Sequence, residues 1–180
     1  AVWMRGLGVD AGLAPVEDRP HLFAPRGFLD DTWWHRTYWV YGTAIGGGYT
    51  NWPTVGNAAP AGRLLAYDGG EFIYGYGRMV YRAGAGHVRP DMAKDYRLFA
   101  EVLDTRPAGE SRRDGKRRIA WTAQSPFVVR AMVLTRDALL LAGGTSGAES
   151  AEGRGPGTFQ VVSREDGSTR AACALPAPPV

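Results

Sequence analysis

Cysteine is almost missing from this chain: Cys173 stands alone among 180 residues. A single thiol cannot close an internal disulfide, so no disulfide framework holds the fold and the redox compartment is not written in cysteine usage. Its setting, TRAACAL, reads as a strand carrying a small buried thiol, because Ala172 and Ala174 supply none of the basic neighbours that activate a cysteine. Histidine is nearly as scarce, and His21, His35 and His87 are too scattered to suggest a zinc site by spacing. No stretch supplies the roughly 20 continuous apolar residues of a membrane-spanning helix. Ala1 opens directly on Val-Trp-Met-Arg, so an export signal is either absent or lies upstream of this sequence. Helical periodicity is also lacking, with its best candidate a short stretch near Pro90 to Tyr96.

The chemical motifs are equally sparse. Gly46-Gly47-Gly48 lacks the Gly-Lys-Ser/Thr ending of a phosphate loop, and Gly143-Gly144-Thr145-Ser146-Gly147 misses the spacing of a nucleophile elbow. No Ser, His and Asp set assembles from the sequence. Arg112-Arg113-Asp114-Gly115-Lys116-Arg117-Arg118 could touch phosphates, but the net charge is only +3 and no aromatic residue interleaves the run. A solvated insertion is the better reading, and no nucleic-acid partner is expected.

What is present is glycine, proline and short apolar runs: 25 Gly and 12 Pro in a chain that is 44% hydrophobic and 22% charged. That composition is ordinary for a soluble protein, and the length is enough for one domain with a sizeable core. The runs follow a repeating order. In the last third Pro126 opens FVVRAMVL, Thr135-Arg136-Asp137 turns, ALLLAGG follows, and GTFQVVS leads through Glu165-Asp166-Gly167-Ser168 into TRAACAL. Asp-Gly between apolar runs supplies the positive φ of a tight hairpin. Runs rich in Val, Leu, Phe, Tyr and Trp suit a pleated, packed surface. The stretch therefore predicts one four-stranded antiparallel unit, 126–176, with Pro179-Val180 starting another. From Pro126 to Pro179 is about 53 positions, near the repeat length of propeller-type proteins.

Laid over the first half, the same order takes Pro25 as the opening of RGFLDD, then WWHRTYWVYG, then RLLAYD, the Asp68-Gly69-Gly70 turn and EFIYGYG. This predicts a blade over 24–125 with insertions at 43–61 and 79–118, preceded by the end of an earlier blade over 1–23 and followed by the start of another at 177–180. Aromatic residues fall on both faces of Trp33 to Tyr41, which suits a strand buried on both sides, as when four-stranded blades stack about an axis. The expected fold is all-β, a partial β-propeller of four-stranded antiparallel blades with loop insertions. An open arc of this kind exposes apolar faces, so the isolated chain is expected to self-associate. The stretch Gly144 to Gly157 reads as a flexible connection.

The sharpest local constellation is Asp30-Asp31-Thr32-Trp33-Trp34-His35-Arg36. Acidic groups beside exposed aromatics could bind a sugar ring or a cation. The simpler reading places Asp30 and Asp31 in a turn, wedges Trp33 and Trp34 between blades, and lets His35 and Arg36 satisfy neighbouring carboxylates or carbonyls. Trp52, in the aromatic segment Tyr49 to Trp52, completes the set of ligand-binding candidates.

The runs HLFAPRGFLDDTWWHRTYWVYG, PAGRLLAYDGGEFIYGYGR and VVSREDGSTRAACALPAPPV resemble bacterial pyrroloquinoline-quinone-like β-propeller repeat proteins, particularly the large planctomycete-type versions that are similar to the outer-membrane assembly lipoprotein propeller. The turn Ser163-Arg164-Glu165-Asp166-Gly167 resembles the repeat's Asp-x-x-Thr-Gly signature, with Ser163 in place of that Asp and Asp166 in place of Thr. Trp121 matches the repeat's closing Trp, and Leu175 is its nearest counterpart in the last unit. The resemblance implies an exported, periplasmic scaffold, with the remaining blades, envelope proteins or glycans as partners. Quinone enzymes of this broad fold are expected to hold the cofactor over a Trp beside a Cys pair, with Ca²⁺ and a catalytic Asp. This chain has no Cys pair and no matching metal-ligand stretch, so neither cofactor, metal nor catalytic residue is expected. Two alternatives remain open: part of a quinone-dependent dehydrogenase, and a carbohydrate-binding or carbohydrate-active propeller.

Overall fold

The computed structural model describes residues 2–4, 7–16, 22–23, 39–41, 56–80, 96–103, 117–145 and 152–179. The fold is all-β, and thirteen strands lie among these residues. A hairpin joins β1 (Val2–Met4) to β2 (Leu7–Val9). A small sheet has the order β3 (Leu22–Phe23), β4 (Trp39–Tyr41), β5 (Ala61–Gly62). Two four-stranded antiparallel sheets dominate. The first runs β6 (Leu64–Tyr67), β7 (Phe72–Arg78), β8 (Tyr96–Val102), β9 (Ile119–Ala123). The second runs β10 (Val128–Leu134), β11 (Ala138–Gly144), β12 (Gly157–Ser163), β13 (Thr169–Leu175). Each pairs sequential neighbours, and neither closes on itself.

Turn chemistry sets these hairpins. Between β6 and β7 the Asp68 carboxylate accepts from the Gly70 and Phe72 amides at 2.9 and 3.2 Å, while Gly69 takes φ 81°. Between β10 and β11 the Thr135 hydroxyl closes the turn on Ala138, donating to its carbonyl at 2.9 Å. Between β12 and β13 the Gly167 amide donates to the Ser163 carbonyl at 3.0 Å, and Asp166 accepts from the Ser168 amide and hydroxyl at 3.0 and 2.8 Å. The last-third unit expected from the sequence is thus the second sheet.

The first half is arranged differently from the expectation. RLLAYD and EFIYGYG share a sheet with YRLFAEV and IAWTA, which lie within or just after the expected insertion 79–118, and not with RGFLDD and WWHRTYWVYG. Of the last of these only Trp39–Tyr41 is a described strand, and it belongs to the small sheet. The chain passes from that sheet into the first large one across a single residue, Arg63, whose amide donates to the Tyr76 carbonyl at 2.8 Å. A Cβ on Gly62 would sit 3.0 Å from both the Leu64 and Tyr76 carbonyl oxygens, so the crossing needs a residue without one. Near Pro90 to Tyr96, where the best helical candidate lay, Tyr96 opens strand β8. The one helical stretch among the described residues is at 56–58.

The two large sheets repeat each other in register. In the first, a bulge between Ala100 and Glu101 skips Ala120, so that Ala100 pairs with Trp121 and Glu101 with Ile119. In the second, a bulge between Val161 and Val162 skips Arg170, so that Val161 pairs with Ala171 and Val162 with Thr169. A bulge reverses local side-chain facing and cannot move without flipping a whole strand. The match therefore aligns Trp121 with Ala171, Ala100 with Val161 and Tyr74 with Leu140. Leu175, the counterpart of Trp121 expected from the sequence, lies four residues beyond that position.

One apolar core is shared between the sheets. From the first sheet Tyr74, Tyr76, Tyr96, Leu98 and Ala100 enter it, each at most 3% exposed; Val129, Leu139, Leu141 and Val162 enter from the second. Alternation along the strands puts each group on one face. The Tyr76 and Tyr96 rings meet edge to face, 5.4 Å apart. Burial pushes the Tyr76 hydroxyl up to about 12, a rise that the Tyr96 ring adds to and that a backbone hydrogen bond at Val129 with Arg63 and Arg97 partly offsets. Tyr41 reaches about 12 as well, through burial and then through Tyr67, whose ring lies 5.2 Å away.

Candidate functional site: the joint between the sheets

The polar chemistry of the described residues gathers where the β12–β13 turn of the second sheet meets the edge of the first. Trp121 on β9 projects into that turn. Its indole N–H donates to the Arg164 carbonyl at 2.9 Å, and its ring lies against the Cα of Gly167. A Cβ on Gly167 would stand 2.6 Å from Trp121 Cε3, and the residue holds φ 76°. Gly is required twice over, by conformation and by the ring packed on it.

Arg164 reaches back across the same joint. Its guanidinium donates to Asp68 Oδ2 at 2.7 Å, to the Tyr74 hydroxyl at 3.1 Å and to the Arg136 carbonyl at 2.9 Å, and its Cζ sits 5.2 Å from the centre of the Tyr74 ring. Three turns are tied through one side chain: the Asp-Gly turn of the first sheet and both hairpin turns of the second. The Tyr74 hydroxyl first, and then the nearby Asp68 carboxylate, raise the affinity of Arg164 for its proton against the opposing desolvation. Tyr74 and Trp121 lie 6.2 Å apart, so ring, indole and guanidinium form a continuous cluster. In the turn itself, hydrogen bonds from Ser168 and Ser163 hold the exposed Asp166 carboxyl below its usual range.

A second polar cluster lies within the first sheet. Glu101 on β8 is fully buried and receives the Arg117 Nε at 2.8 Å, while the Arg117 guanidinium also covers the Phe99 ring at 4.6 Å. Glu101 Oε1 and Arg117 Nη2 have no hydrogen-bond partner. Arg117 is therefore not part of a solvated basic tip, as the run Arg112 to Arg118 suggests; 112–116 lie outside the described residues. Sequence reasoning missed this pair because Glu101 and Arg117 have no local spacing to link them. The one available signal was an acidic residue inside the apolar run YRLFAEVL.

Cys173 is exposed on β13, contrary to the buried thiol expected, because β13 is the outer strand of its sheet and lacks a neighbour on one side. Asp30, Asp31, Trp33, Trp34, His35, Arg36 and Trp52 lie outside the described residues, as do Gly46-Gly47-Gly48. Most of the Gly144 to Gly157 connection does too. Among the described residues no three His, Cys, Asp or Glu side chains gather as a metal site would require, and no helix is long and apolar enough to cross a membrane.

The joint offers no nucleophile paired with a base; what it can do is hold two sheets at a fixed spacing and angle. Trp121 and Gly167, picked out separately in the sequence as a closing Trp and a turn glycine, are here in contact. Comparison with protein-family models, with curated proteins and with solved structures finds no match to this chain.

Proposed function

We propose that this chain is a non-catalytic scaffold segment of an exported, pyrroloquinoline-quinone-like β-propeller protein, its two large sheets serving as successive blades. The observation that carries the reading is the joint: two four-stranded sheets with bulges at matching positions, fastened by a Trp on the last strand of one and a Gly turn of the next. Such a joint spends its polar groups on one another. A blade pair built this way presents its loops at the ends of the sheets, where envelope proteins or glycans would bind. Periplasmic location is part of the proposal and follows from the resemblance of the sequence.

The residues available do not fit a quinone site of the kind the broad fold can carry. The Cys pair of that site needs two cysteines, and this chain has one. No chemical step is assigned here to the quinone.

Calorimetric titration of the natural full-length protein with pyrroloquinoline quinone, with and without Ca²⁺, tests the reading. No binding heat is expected under either condition. Tight stoichiometric binding would overturn the scaffold assignment in favour of a quinone-dependent dehydrogenase.

A further inference from the structure

The second sheet has one covered face and one open one. Its outward rows carry Val133, Leu140, Phe159, Val161, Ala171 and Cys173. Val133 is 57% exposed, Ala171 and Cys173 are exposed, and the other three are half-buried. In the register shared by the two sheets, these rows correspond to the face of the first sheet that the second one covers: Leu140 to Tyr74, Val161 to Ala100, Ala171 to Trp121.

The path of the backbone points the same way. Between the two sheets the chain leaves β9 and crosses through Pro126-Phe127, and Phe127 is 9% exposed in the shared core. After β13 it turns back in a similar fashion. Gly157 belongs to the open face, paired with Gly144 and Leu175, and a Cβ there would collide with the Ala177 carbonyl and stand 2.8 Å from Pro178 N. Pro178 is buried. The segment 176–179 thus carries the chain onto the open face, as 124–127 carries it onto the covered one.

A second copy of this chain is poorly suited to fill the place. The face that would have to dock, bearing Leu139, Leu141 and Val162, is already sealed in each copy at no more than 1% exposure. We infer that the open face of the second sheet receives a further four-stranded sheet of the same polypeptide, through a joint that lacks the polar clasp of the first. Thr135 stands where the first sheet has Asp68, Leu140 where it has Tyr74, and Ala171 where it has Trp121. None of the three can anchor an arginine or donate an indole N–H. This second joint rests on apolar contact alone, and over Ala171 its partner turn has room for a side chain where the first joint demands glycine.

The inference rests on the propeller reading for its architecture and is independent of whether quinone binds. Cys173, on the open face, reports it directly. The natural full-length protein is treated with a maleimide, natively and in urea, and the peptide carrying Cys173 is followed by mass spectrometry. Native labelling slower by roughly tenfold or more, in a monomeric sample, is expected. Native labelling as fast as in urea would show the face open to solvent and overturn the inference. Protection that disappears on dilution together with a dimer would assign the face to a second copy, and overturn it equally. Val133→Asp is expected to restore fast labelling; should that variant fail to fold, the wild-type comparison still decides. Protection of Cys173 alongside stoichiometric quinone binding would keep this inference while removing the scaffold assignment.

Discussion

Replacing Gly167 with alanine imposes two separable costs on the joint. The first is conformational: φ 76° is the left-handed region, which costs a residue with a Cβ about 1–2 kcal/mol. The second is steric. The new methyl would lie 2.6 Å from Trp121 Cε3 and 2.9 Å from Cζ3, where carbon atoms prefer about 3.5–4.0 Å. The indole must withdraw by about 1 Å, and it is tethered by its 2.9 Å bond to the Arg164 carbonyl. Overpacking of this kind costs about 1–3 kcal/mol, for a total near 2–5 kcal/mol. Gly69 separates the two terms: it holds φ 81° and a Cβ there would meet nothing within 4 Å, so Gly69→Ala should cost about 1–2 kcal/mol only. A second separation comes from Trp121→Ala, in whose background Gly167→Ala should also fall to about 1–2 kcal/mol, a coupling of about 1–3 kcal/mol. Urea unfolding monitored by circular dichroism, at unchanged m-value, measures each difference. Equal losses for Gly167→Ala and Gly69→Ala, within about 0.5 kcal/mol, would refute the packing of Trp121 on that turn.

Three other perturbations reach different parts of the structure. Arg164→Met should destabilise by about 2–3 kcal/mol, because it strands the Asp68 carboxylate, and Asp68→Asn should recover part of that loss in the double variant; additive costs in urea unfolding would disprove the clasp. Glu101→Ala should cost about 3–5 kcal/mol by leaving Arg117 charged and buried, whereas Glu101→Leu with Arg117→Met should be close to neutral; a double variant as unstable as the single would show that the pair is not the cause. Tyr41 and Tyr76, both pushed up to about 12, should ionise after the remaining tyrosines in an ultraviolet titration. Each holds its proton more tightly folded than unfolded, so their contribution to stability is complete below about pH 10 and is lost as pH climbs towards 12; unfolding midpoints that stay flat over that window would contradict the burial of Tyr76.

What the sequence made legible, and what it hid, divides along the range of the contacts. The second sheet could be read strand by strand, because each of its turns is local and carries its own chemistry: Thr135, then Asp166 and Gly167. The Asp68-Gly69-Gly70 hairpin was visible for the same reason. The first sheet was misgrouped because β8 and β9 are reached through long connections with no tight-turn residues at a fixed offset, and a pattern anchored on Pro25 took aromatic density at Trp33 to Tyr41 as membership of the same sheet. Trp121 and Gly167 were each recognisable by type, yet Arg164 was not, since it meets Asp68 and Tyr74 from far along the chain and an arginine in a turn looks like any solvated one. The true counterpart of Trp121 is Ala171, which no search for a second tryptophan finds. Only the paired bulges expose it.

Those bulges also bear on how such a chain tolerates change. Between equivalent strands the first sheet spends residues 103–118 and the second only 164–168, yet the pairing on either side keeps the same register. Lengthening a surface connection costs little entropy, so the sheet is indifferent to what is spliced between β8 and β9. The shorter connection has no such freedom, because Arg164 and Gly167 are themselves the fastening. Peptide grafting should therefore succeed at one hairpin and fail at its twin, and lineages carrying this repeat would be free to diversify only at the hairpin that clasps nothing.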